Sequence, residues 1–178
     1  MEKKCRQCGK SQAFVYLGIL ICSKCFVRLI EKRVKRSLGK VFSKNDKVLV
    51  VGDLADYFVS LIMEGFPIKI VKRKKLSGSL AGFDKVVVES TMDDIDAGFL
   101  SEFFSKKIDL KKNKKIIRIL QTVTDEEALK FAKIKKISFK VDDKNKVIKE
   151  FLGKISKKHP EVRYNLLKNV KEVEGFLE

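Results

Sequence analysis

Apolar positions change their period along the chain, and each change marks an element. Phe14, Val15 and Tyr16, then Ile19, Leu20 and Ile21, flank Gly18 as two short apolar runs, which predicts a small hairpin. From Phe26 the period becomes helical. Phe26, Val27, Ile30, Val34 and Leu38 recur on one face, the mark of an amphipathic helix beginning near Cys22. Val48 to Val51 is an unbroken apolar run, as expected of a strand buried in a parallel sheet. Asp53 to Glu64 returns to helical spacing, with Tyr57, Phe58, Leu61 and Ile62 inward and Gly65 as its stop. Ile68 to Val71, Val86 to Val88 and Ile116 to Leu120 read as three more strands. Thr91 is placed to cap a helix from Asp93 to Lys107, and Thr124 precedes the acidic start of another. Two further helices follow, divided at Pro160.

Strands alternating with helices predict an α/β fold with a Rossmann-like parallel sheet covered on both faces. The change of pattern near residue 40 divides the chain into an N-terminal module at 1–40 and an α/β domain at 41–178. The stretch from Lys72 to Gly82 is basic and then rich in Gly and Ser, which predicts a loop.

Charge adds a partner class. Forty Lys and Arg against 23 Asp and Glu give a net charge of +17 over 178 residues. Polyanions are the natural partners of such a surface, nucleic acid ahead of an anionic membrane or an acidic protein. Lys-rich composition also marks proteins of hot environments, although there Glu rises alongside Lys. The charged N-terminus runs into Cys5 with no apolar stretch, and no run approaches the ~20 apolar residues of a membrane span. A cytoplasmic protein with no membrane partner is therefore expected.

All four cysteines lie in the first 25 residues, as Cys5-x2-Cys8 and Cys22-x2-Cys25. Two such knuckles joined by a hairpin bring four thiolates around one Zn²⁺, a closed structural site with no open position. Disulfides fit poorly in a chain without a secretion signal, and a redox pair does not explain two matched knuckles. The helix that follows carries Arg28, Lys32, Lys35 and Arg36 opposite its apolar face. That stripe is either a solvated face or a phosphate contact. Lys72, Arg73, Lys74 and Lys75 form a second basic group in the expected loop.

No assembled catalytic site is legible. The loop after the first long strand is Gly52-Asp53-Leu54-Ala55-Asp56, with one glycine, no Lys and two carboxylates where a phosphate cradle needs N–H donors and a cation. No cysteine lies outside the cluster, and the single histidine, His159, stands before Pro160 as a turn residue. Asp93 and Asp94 have the makings of a Mg²⁺ site but read more simply as partners of a helix dipole.

The zinc ribbon, Cys22-x2-Cys25-Phe26, the basic helix and the strand after it resemble the cytoplasmic tRNA 2-thiolation proteins of the PP-loop ATP pyrophosphatase group. The likeness runs over nearly the whole chain and is strongest from Cys5 to Leu38. Glu89-Ser90-Thr91-Met92-Asp93-Asp94 falls where the family has His-Asn-x-Asp-Asp. Asp125-Glu126-Glu127 with Phe131-Ala132 resembles its acidic helix, and Lys158-His159-Pro160 its closing junction. The family's Ser-Gly-Gly-Lys-Asp-Ser loop is replaced by Gly52 to Tyr57, and its sulfur-handling cysteines have no counterparts. The resemblance thus implies a degenerate PP-loop domain and a non-catalytic accessory subunit, not an enzyme. Such a subunit would give a tRNA-binding surface and an interface to a catalytic PP-loop paralogue. Two alternatives stand beside it: a free-standing zinc-ribbon RNA-binding protein without a role in thiolation, and an unrecognised nucleotide-using enzyme.

Overall fold

A computed structural model describes residues 4–11, 13–38, 41–105 and 115–176. It opens with an antiparallel hairpin, β1 (Phe14–Tyr16) and β2 (Ile19–Ile21). The turn between them is Leu17-Gly18, both with positive φ (46° and 76°), the backbone that twists a two-residue hairpin correctly. Helix α1 (Ser23–Leu38) follows at once, burying Cys25, Phe26, Ile30, Val34 and Leu38 as its periodicity predicts.

The second part alternates strand and helix: β3 (Lys47–Val51), α2 (Asp53–Ile62), β4 (Lys69–Arg73), β5 (Lys85–Thr91), α3 (Met92–Phe104), β6 (Ile116–Leu120), α4 (Asp125–Lys135). Two closing helices, α5 (Lys146–Lys158) and α6 (Val162–Phe176), break at Pro160 as expected. All pairings in the sheet are parallel, in the order β4-β3-β5-β6. The chain leaves β3 toward β4 and then returns to its other side with β5. In open sheets of this kind, ligands bind at such a reversal, past the carboxyl ends of the strands, here β3 and β5.

One sheet face carries α1, α2 and α4. Val48, Val50, Leu54, Phe58, Ile119 and Phe131 are fully buried there, in a core that continues without a break into Cys5, Ile21, Phe26 and Ile30. The ribbon and the sheet thus share one hydrophobic interior. On the other face, Leu49, Val51 and Val86 are closed off by Phe83 and Leu80 from the β4–β5 connection. Helix α3 instead shares its buried Met92 and Ile95 with Leu167 and Val170 of α6.

Both threonine caps form. Thr91 Oγ1 accepts from the Asp94 N–H and Thr124 Oγ1 from the Glu127 N–H, each closed reciprocally by the carboxylate into a capping box. Lys107, the expected end of α3, lies outside the described residues. A correction concerns the second basic group. Lys72 and Arg73 are not loop residues but the last two positions of β4. Parallel pairing with Val50 and Val51 carries the strand two residues further than its apolar content suggests. An edge strand exposed to water tolerates charged ends.

Candidate metal centre and nucleic-acid interface

The two knuckles close on themselves before they meet. Gly9 N–H donates to Cys5 O (2.8 Å), and Phe26 N–H donates to Cys22 O (2.9 Å). Arg6 N–H donates to Leu20 O (2.9 Å), tying the first knuckle to β2. The four Sγ atoms converge, all within 4.8 Å of one another, with Cys8 and Cys22 3.6 Å apart. Four bonds of 2.3 Å at tetrahedral angles give edges of about 3.8 Å, so the set fits a single ion. A four-iron cube interposes its own metals between the thiolates and spreads them wider. Cys5, Cys22 and Cys25 are buried and Cys8 is exposed. Burial pushes the Cys25 thiol up to about 12, with the neighbouring sulfurs adding to it. Backbone hydrogen bonding instead holds the Cys22 thiol below its ordinary value, so it is Cys25 that most needs a cation beside it to stand as a thiolate.

Beside the ribbon lies a basic groove of about 810 Å³. Arg28, Lys32 and Arg36 line one wall, with Gln7 of the first knuckle and Thr122 after β6 opposite. The three cations stand at i, i+4 and i+8, one turn apart. Lys35 is exposed on the same helix but does not line this groove. Lys74 and Lys75 are exposed past β4. Of the other pair, Lys72 Nζ is bound to Asp56 Oδ2 (2.7 Å). Arg73 donates to Ser77 O (2.7 Å) and lies over the Phe83 ring. The stripe on α1 is thus gathered into a cavity, whereas two of the four cations at β4 are already engaged.

Residues given no site role in the sequence-based expectation hold the groove in shape. Arg33 Nη1 donates to both Glu127 oxygens (2.9 Å each) and to Thr122 O (3.0 Å), and Nη2 to Tyr16 Oη (2.5 Å). Tyr16 Oη in turn donates to Glu127 Oε1. One half-buried cluster thus bolts hairpin, α1 and α4 together. Position 33 falls beside the apolar stripe rather than opposite it, and that was the available signal. The acidic residues at the other helix starts are also paired. Asp93 meets Arg163 (2.9 Å), while Lys149 bridges Asp94 and Asp125 (3.0 Å to the latter). These are clamps from α5 and α6 rather than a cation site. His159 is an exposed turn residue 3.6 Å from Glu161.

Past β3, Gly52 adopts φ 99° and begins α2 without a side-chain cap. The Glu89 carboxylate takes that place, Oε1 accepting from Leu54 N–H (2.5 Å) and Ala55 N–H (3.0 Å). Burial raises the Glu89 pKa, the two N–H donors opposing it.

No family model and no characterised relative matches the chain by sequence. Solved structures do. The U34-tRNA thiolase NcsA from Methanococcus maripaludis, determined with its [4Fe-4S] cluster, superposes on 100% of this chain and 89% of its own, with a TM-score of 0.74 and 14% identity. The chain has the fold of a tRNA thiolase. The parallel sheet and the N-terminal cysteine cluster are as expected. The expectation of a non-enzyme is corrected: the fold shared along the whole chain is that of an enzyme that carries a metal cluster, and this chain has four convergent cysteines of its own. A missing Gly- and Lys-rich loop removes one way of holding phosphate and does not by itself exclude an enzyme. Among the described residues no helix is long and apolar enough to cross a membrane.

Proposed function

We propose that this protein acts in the thiolation of tRNA, with the α1 groove as its tRNA-binding surface. The observation that carries the reading is the placement of Arg28, Lys32 and Arg36 along one groove beside the cysteine ribbon, on a fold shared with a U34-tRNA thiolase. With the described residues, none of these three guanidinium or ammonium groups forms an ion pair. Each is open to a phosphate.

Cys5, Cys8, Cys22 and Cys25 would hold one Zn²⁺, supported by the short sulfur spacing and by a donor set that soft, tetrahedral ions prefer. When bound, the ion supplies structure, since four protein thiolates leave no position for substrate. Residues 1–40 would then act as the RNA-facing module and 41–178 as the domain that meets a PP-loop partner in the cytoplasm. Lys35 adds positive charge on the same helix outside the groove, and Lys72, Arg73, Lys74 and Lys75 would form a second basic group at β4, the opposite edge of the sheet from β6.

Reversing Arg28, Lys32 and Arg36 to Glu tests the RNA assignment. Wild-type affinity for tRNA should fall with salt at a log–log slope of roughly −0.7 to −0.9 per phosphate contact. The triple variant should bind weakly and with a flatter slope, while its circular dichroism is unchanged because the buried face of α1 is untouched. Removing the gene should deplete 2-thiouridine at the wobble position. Normal thiolation with intact tRNA binding would favour the free-standing RNA-binding protein instead.

A further inference from the structure

A second cavity lies across the Arg33 cluster from the α1 groove. It encloses about 580 Å³ between the tip of the hairpin, α4 and the two closing helices, a volume in the ordinary range for a small organic ligand. Arg33 lines the α1 groove, whereas Tyr16 and Glu127 line this cavity. Arg33 is hydrogen-bonded to both, so the three side chains form the wall between the two spaces.

The apolar side of the cavity is open to water. Val15 and Leu17 of the hairpin and Tyr164 of α6 line it, and all three are exposed. Leu17 stands at the turn with φ 46°, a left-handed backbone that Asn, Asp or Gly fills more readily. The turn alone gives no reason for a leucine there, yet its side chain is 66% exposed. The polar side carries both signs of charge. Arg163 is taken by Asp93, and Lys130 lies over the Phe14 ring. Lys154 and Lys157, on one face of α5, form no ion pair among the described residues, and neither do Glu126 and Glu150. A run of phosphates does not suit this lining, because the two carboxylates repel it. One anionic group joined to a flat ring with N–H donors on its edge suits every part of it. An unstacked nucleotide has that chemistry.

We propose that this cavity receives one unstacked nucleotide of a single-stranded RNA segment, its base against Tyr164 and Leu17 and its phosphate on Lys154 and Lys157. The inference rests on the α1 groove as the tRNA-binding surface. A strand held on Arg28, Lys32 and Arg36 has only the Arg33 cluster between it and the cavity. The two sites divide the work. Cations along the groove take the backbone of paired and unpaired RNA alike, whereas the cavity needs a base that is free of its stack. Paired RNA therefore uses the groove alone.

The test uses the full-length, metal-loaded protein and two RNA probes, with affinities read by fluorescence anisotropy. One probe is an RNA hairpin with a single-stranded loop, the other a blunt duplex of the same stem sequence. Tyr164→Ala should weaken hairpin binding at least about fivefold, the loss of one base–aromatic stack, and leave duplex binding within twofold of wild type. Tyr164→Phe keeps the ring and should bind both probes as wild type does. Reversing Lys154 and Lys157 to Glu should also weaken the hairpin more than the duplex, and carries the comparison should Tyr164→Ala fail to fold. Equal losses on the two probes, no loss on either, or a Tyr164→Phe variant as weak as Tyr164→Ala overturn the proposal. Reversing Arg28, Lys32 and Arg36 should weaken both probes. If that variant binds both normally while Tyr164→Ala still loses the hairpin, the cavity stands and the groove reading falls. A wild-type protein that binds neither probe overturns both.

Discussion

Asp96 is a buried carboxylate without a hydrogen-bond donor among the described residues, and replacing it should make the protein more stable in a pH-dependent way. Its side chain is fully buried on α3, and among the described residues neither oxygen meets a hydrogen-bond donor. Burial, then the charge of Asp93, push its pKa from the ordinary 3.8 to about 7, against the pull of Arg163. The folded protein therefore holds a proton that the unfolded chain releases between about pH 4 and pH 7. Stability contributed by that proton is present below the lower value and is lost as pH rises through the upper one. At about 1.4 kcal/mol for each pH decade, the loss between pH 4 and pH 8 reaches about 4 kcal/mol. Asp96→Asn resembles the protonated form and has no proton to lose. Urea unfolding of both proteins at pH 4.5 and pH 8 isolates the effect, since titrations common to the two cancel. The advantage of Asp96→Asn should grow by at least about 2 kcal/mol between the two pH values, moving its midpoint by about 1 M at an m of about 2 kcal/mol/M. Asp93, whose own pKa is raised first by burial and in part by Asp125, loses a like-charged neighbour and adds to the same sign. An advantage that is constant with pH would refute the argument.

Glu127→Gln should cost about 2 kcal/mol in chemical denaturation, because it leaves the half-buried Arg33 without its carboxylate. By contrast, Asp56→Asn should change stability by less than about 1 kcal/mol, since its partner Lys72 is largely exposed. Thr124→Ala opens the capping box of α4 and should lower stability by about 1 kcal/mol, read as a drop in melting temperature. Chelation of the metal, or Cys22→Ser, should abolish hydrogen-exchange protection in β1 and β2; unchanged protection there would count against a structural ion.

Elements whose hydrophobic period is local were legible without coordinates. Helix α1 shows its buried face in Phe26, Ile30, Val34 and Leu38, and the cysteine knuckles announce themselves by spacing alone. The end of β4 was not legible, because Lys72 and Arg73 owe their extended backbone to pairing with β3 and not to any preference of their own. The cover of the second sheet face was equally hidden. Phe83 is a single aromatic in a stretch of Gly and Ser, and its burial depends on where the chain returns. Arg33 and Glu127 are 94 residues apart and meet only through the fold. Glu89 was visible as a departure from a familiar motif, but its role as the cap of α2 comes from a bulge that no local pattern encodes. Function was hardest to read, since a loop lacking the usual residues suggested lost catalysis where the fold itself belongs to an enzyme.

Among the described residues strand β4 ends the sheet on one side, and no strand pairs with its outward edge. Lys69, Lys72 and Arg73 stand along it, with exposed Lys74 and Lys75 beyond. A second molecule presenting the same edge would bring like charges opposite one another, which disfavours pairing. The residues that read first as a ligand surface therefore guard against aggregation, and polymers built by sheet extension should not start at β4. Neutralising those cations should reduce solubility before it alters the fold.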